Sequence, residues 1–203
     1  MNILVIGAAG DIGQAACAAL KANHTLIRAG RSGGDVHVDM SDSASVDAMY
    51  ARITDTFGTL GAVVCTAGDA HFAPLSDQTS DTMMLGLHQK VMGQINLVLG
   101  GLGHLADGGS FTLTSGILDR DPIVQGVGAA TANGALAGFV KSAAIEMPRG
   151  LRINVVSPGM LDVSAARYGA WFAGHTPVAS DRVGRAFVKS VEGAQTGQVI
   201  TVD

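Results

Sequence analysis

Three glycines, Gly7, Gly10 and Gly13, follow directly on the short apolar run Asn2–Ile6, with Asp11 and Ile12 between the last two. A glycine turn between a strand and a helix lets backbone N–H groups approach a phosphate, and the helix N-terminus adds partial positive charge. The spacing Gly-x-x-Gly-x-x-Gly departs from the GxGxxG form, so the position behind an N-terminal strand carries most of the signal. A second clue closes the next apolar run, Thr25–Ala29. A site for NAD places a carboxylate there to hold the ribose 2′-hydroxyl. Here Gly30-Arg31-Ser32 follows instead, and a guanidinium beside a hydroxyl suits a 2′-phosphate. Ser115 is a third candidate, a hydroxyl at the end of the run Ser110–Thr114. Metal chemistry finds no support: Cys17 and Cys65 stand far apart, and the six histidines lack ligand spacing.

These candidates need elements to hold them. Apolar runs at Asn2–Ile6, Thr25–Ala29, Val36–Val38, Ala62–Thr66, Ser110–Thr114, Leu151–Val156 and Gln198–Val202 read as about seven strands. Between them lie helical stretches: an alanine-rich one over Ala15–Ala22, one capped by Asp42 or Ser43 and running to Thr56, and long ones over Asp81–Leu105 and Gln125–Glu146. A last helix covers Ser180–Val191. Alternation of strand and helix, with strands apolar throughout, predicts an α/β fold: a Rossmann-like, doubly wound parallel sheet with helices on both faces. No linker or repeat interrupts it, so residues 1–203 read as a single domain.

Composition narrows the partners. The chain is 47% hydrophobic and 15% charged, which excludes intrinsic disorder. A net charge of −4 with no long basic run argues against nucleic acid. No apolar run reaches the ~18 residues of a membrane span, and the opening MNILVIG lacks a basic leader region, so a cytoplasmic location is expected. Both cysteines read as buried small hydrophobes.

In order along the chain, four segments resemble the short-chain dehydrogenase/reductase family. Ile6-Gly-Ala-Ala-Gly-Asp-Ile-Gly13 resembles its TGxxxGIG turn, with Asp11 at the middle glycine. Val38-Asp39-Met40 resembles the segment whose carboxylate contacts adenine. Cys65-Thr-Ala67-Gly68 resembles NNAG, beside the adenine ribose. Arg152-Ile-Asn-Val-Val-Ser-Pro158-Gly159 resembles the strand and turn bordering the nicotinamide. The resemblance implies an NADP(H)-dependent oxidoreductase acting on a small-molecule carbonyl or alcohol, a substrate lid at about 162–175, and a homodimer or homotetramer built on the long helices.

The resemblance also exposes departures. The family's Asn-Ser-Tyr-Lys set falls on Lys90, Ser115, Ala129 and Asn133. Neither tyrosine of the chain supplies the motif, since Tyr50 is followed four residues later by Thr54 and Tyr168 by Phe172. One cationic group has gone from the second long helix and another has appeared on the first. Lys90 is therefore the expected proton donor or electrostatic anchor, acting with Ser115, while Asn133 is left to bond a ribose hydroxyl or a water. Tyr168, with Trp171 and Phe172, is a candidate for the substrate pocket, and His71 for its border. The alternative is a catalytically silent sensor or scaffold that binds NADP(H). No carboxylate pair or histidine base supports non-redox elimination.

Overall fold

The computed structural model describes residues 1–203. Seven strands form one parallel sheet: β1 (Asn2–Ile6), β2 (Thr25–Gly30), β3 (Val36–His37), β4 (Leu60–Cys65), β5 (Leu105–Thr114), β6 (Arg152–Pro158) and β7 (Val199–Val202). Their order is β3-β2-β1-β4-β5-β6-β7. The expected α/β sheet with helices on both faces is what the chain forms.

The two faces follow from the period of two in a strand. In β1, Leu4 and Ile6 join one apolar cluster while Ile3 and Val5 join the other. The larger cluster packs under α2 (Ser43–Phe57), α4 (Gly93–Gly101) and α5 (Val127–Ala143), through Met49, Leu97 and Leu136 among others. The smaller packs under α1 (Asp11–Leu20) and α7 (Ser180–Glu192), through Leu20 and Phe187. A short α3 (Ser80–Gly86) precedes α4, and a single-turn α6 (Ala165–Tyr168) lies between β6 and α7. Both cysteines are free and buried.

Several boundaries differ from expectation, the first helix among them, which runs Asp11–Leu20 rather than Ala15–Ala22. The stretch expected as one helix over Asp81–Leu105 is α3, a π-helical segment at Leu87–Met92, and α4; it stops at Gly101 because Leu105 already pairs with Leu60 in the sheet. Strand β5 therefore begins earlier than Ser110, its register shifting between the Leu60 and Ala62 pairings. Helix α5 starts at Val127 rather than Gln125, whose φ of 66° is left-handed and cannot begin a helix. The α2 start is as expected: the Asp42 carboxylate accepts from the Ala44 N–H at 3.0 Å.

Sheet order reverses between β1 and β4. In open α/β sheets the crevice beyond the strand ends at that reversal is where ligands bind.

Candidate active site

At that crevice the chain forms a cavity of about 240 Å³. Gly7, Gly10, Arg31, Ser32, Asp39, Met40, Ala67 and Gly68 all line it, so eight of the residues selected from sequence meet in one place. Two glycines are dictated by space. Gly7 has φ +81°, and a Cβ there would lie 2.9 Å from the Ala67 nitrogen. A Cβ on Gly13 would lie 2.1 Å from the Gly7 carbonyl oxygen, so strand end and helix start close up only with glycine. Thr66 pins the turn further, its hydroxyl reaching the Ile6 and Gly7 carbonyls at 2.9 and 3.0 Å.

Asp39 accepts from the Ser41 hydroxyl at 2.7 Å and from the Ser41 N–H at 3.0 Å. These bonds, with a smaller contribution from Arg31, hold its carboxyl below the usual carboxylate range. Arg31 and Ser32 are exposed at the rim. The cradle presents glycine backbone together with the Arg31 cation and the Asp39 and Asp69 carboxylates, a set that fits a phosphorylated nucleoside.

A second cavity, of about 200 Å³, opens beside the first. Ile12, Lys90, Ser115, Ala129, Asn133, Pro158 and Gly159 line it, together with Phe72, Leu118, Tyr168 and Phe172. Sequence reasoning missed Phe72 and Leu118, since an apolar side chain in a connecting segment or short helical turn carries no chemical signature. Ser115 is held by its strand: its N–H donates to the Val156 carbonyl at 3.0 Å. Just before it, Gln94 clamps Thr114 by bonding both its N–H (2.8 Å) and its carbonyl (2.9 Å). The Ser115 Oγ itself is buried and has no hydrogen-bond partner. A buried unpaired hydroxyl is a costly arrangement unless something else supplies the partner.

Lys90 reaches the place that the exchange of residues predicted. Its Nζ donates to the Asn133 Oδ1 at 2.8 Å and to the Ser115 carbonyl at 3.2 Å. Asn133 in turn donates to the Gly116 carbonyl at 3.1 Å. An ammonium has three N–H donors, so one remains for a ligand. Lys90 belongs to the π-helical turn, a feature frequent at functional sites and invisible to residue periodicity. Its stem runs against Gly68, where a Cβ would lie 2.7 Å from the Lys90 Cγ. No acidic side chain pairs with it. Loss of hydration around the ammonium draws its pKa down to about 8, with Cys65, Asp119 and Asp69 pulling weakly the other way.

Asp11 does not point into either cavity; its carboxylate turns to Ser164 and Arg167. His71 lies outside the second cavity, lining a separate cleft with Asp69 and Gln89, its carbonyl packed against Gly128. Tyr168 and Phe172 do line the cavity, whereas Trp171 stacks on Tyr168 at 6.2 Å from outside.

Residues 8–203 match the family model described as enoyl-(acyl carrier protein) reductase. Among solved structures, the protein lin1944 from Listeria innocua is 48% identical over 100% of both chains, with a TM-score of 0.96. A small-chain dehydrogenase in complex with NADPH is 26% identical, covering 100% of this chain and 96% of its own, at a TM-score of 0.84. A short-chain dehydrogenase from Burkholderia cenocepacia J2315 in complex with NADP is 26% identical, covering 99% and 95%, at 0.82. No curated protein matches the chain. The chain belongs to the short-chain dehydrogenase/reductase family.

Proposed function

We propose that the protein is an NADP(H)-dependent oxidoreductase that interconverts a small carbonyl compound and its alcohol, with Ser115 and Lys90 replacing the family's usual proton relay. The observation that carries this reading is the convergence of Lys90 Nζ, Asn133 Oδ1 and the unpaired Ser115 Oγ on one cavity beside the nucleotide cradle. The cradle holds the adenosine half, with Arg31 and Ser32 on the 2′-phosphate and Asp39 and Met40 beside the adenine. Ala67 and Gly68 flank the adenine ribose. The turn Gly7–Gly13, with Asp11 and Ile12 contributing backbone, receives the pyrophosphate, and Pro158 and Gly159 border the nicotinamide. When bound, the cofactor supplies the hydride or accepts it.

Around the reacting carbonyl, this chain supplies a hydrogen-bond donor and a proton. Ser115 donates its hydroxyl hydrogen to the substrate oxygen, which gains negative charge during reduction. Lys90, with a pKa near 8, is mostly protonated at neutral pH and gives up its proton readily enough for acid–base work. Asn133 holds the ammonium in place. Ala129, a small buried side chain, lines the same cavity.

The absence of a phenol at position 129 favours one second reading, a sensor or scaffold that binds NADP(H) without turnover. Titration with NADPH and NADH, followed by single-turnover oxidation of bound NADPH against a broad carbonyl panel, separates the two. NADPH oxidation that is lost in Ser115→Ala supports the enzyme; binding with silence across the panel supports the sensor. The oxidoreductase reading also includes self-association through α4 and α5, where Leu99 on α4 and Ile145 just beyond the end of α5 are exposed. A monomer in light scattering contradicts that part.

A further inference from the structure

Asp11 is an awkward residue for a phosphate turn. It opens α1, and a helix N-terminus stabilises a carboxylate as readily as a phosphate. Two negative groups at one helix end repel each other. The structure shows where the Asp11 charge goes. Its Oδ2 accepts from the Ser164 hydroxyl at 2.5 Å and pairs with the Arg167 guanidinium. Both partners come from the 162–175 segment, which lies between β6 and α7. Arg167 also stands over the Tyr168 ring, 5.3 Å from its centroid, and Tyr168 lines the cavity that holds Ser115. The segment is fastened at its ends as well: the Asp162 carboxylate accepts from the Ser180 hydroxyl at 2.6 Å, and His175 Nδ1 lies 3.5 Å from Asp121.

We propose that Asp11, Ser164 and Arg167 form a latch that fastens the 162–175 segment to the phosphate turn, with Arg167 neutralising a carboxylate that would otherwise repel the cofactor pyrophosphate. This rests on the NADP(H) reading above. Arg167 is then a positioning residue that acts through Asp11.

The test is a double-mutant cycle read by NADPH titration, with hydrogen exchange of the nucleotide-free protein as a second readout. Arg167→Met weakens NADPH binding about three- to tenfold, in keeping with a charge-assisted pair partly exposed to water. Asp11→Asn binds NADPH at least as well as wild type, and adding Arg167→Met to it costs nothing further. Amide exchange over 162–175 accelerates in both single variants. An equal loss from Arg167→Met in both backgrounds, no loss in either, or unchanged exchange overturns the latch while leaving the cofactor reading intact. Wild-type protein that binds neither NADPH nor NADH overturns both.

Discussion

The two ends of the cleft were assembled differently. In the glycine-lined cradle, backbone does most of the work: Gly7 and Gly13 allow contacts that any side chain would block, and Arg31, Asp39 and Asp69 add charge. At the other end, side chains form the cluster, and we propose that the family's set has been redistributed there. The cation sits on the first long helix as Lys90 and the amide on the second as Asn133, yet the two meet at 2.8 Å. A backbone cradle has few sequence solutions because its geometry is steric. A cluster of side-chain groups has several, because neighbouring helices can exchange donors and still fill one volume.

The contrast can be broken at either end. The largest effect is expected from Ser115→Ala: removal of a donor to a developing oxyanion costs about 100- to 1,000-fold in single-turnover rate. NADPH affinity, measured by fluorescence titration, stays at the wild-type value, because Ser115 serves only the reacting end. Arg31→Ala does the opposite. It weakens NADPH about 10- to 100-fold, the size of a charge-assisted phosphate contact, and leaves NADH affinity unchanged. Equal effects on both nucleotides would remove Arg31 from 2′-phosphate recognition.

Gly68 touches both ends, lining the cradle and packing on the Lys90 stem. Gly68→Ala pushes that stem, and its φ of +143° strains any side chain, so both affinity and turnover fall by roughly a few fold, with about 1 kcal/mol lost from stability. A further effect is on folding. The Lys90 pKa is depressed from 10.5 to about 8, so between those values the unfolded chain binds a proton that the folded chain does not. Stability relative to Lys90→Met therefore rises with pH across that window, and thermal melts of the pair from pH 7 to 10 measure it.

Much of this was legible in the sequence, for identifiable reasons. Strands such as Ile3–Ile6 announce themselves by unbroken apolar character, and the glycines of the turn by their place after β1. The Lys90–Asn133 exchange was legible because both residues fall at aligned positions on helices that pack together. The π-helical turn that carries Lys90 was not legible, because a local change of helical pitch leaves the residue pattern unaltered. The Asp11–Ser164–Arg167 contact was also hidden: it joins residues 153 positions apart or more, and nothing in an exposed Arg or Ser announces its partner.

The pH dependence of single-turnover NADPH oxidation, in wild type and in Lys90→Met with a carbonyl substrate found in the panel, tests the replaced relay most directly. If the Lys90 ammonium supplies the proton, the wild-type rate holds level below about pH 8 and falls above it as the amine deprotonates. Lys90→Met is then slower by about 100-fold or more and loses that inflection. A Lys90→Met protein that keeps both the wild-type rate and the same fall above pH 8 would contradict the assignment.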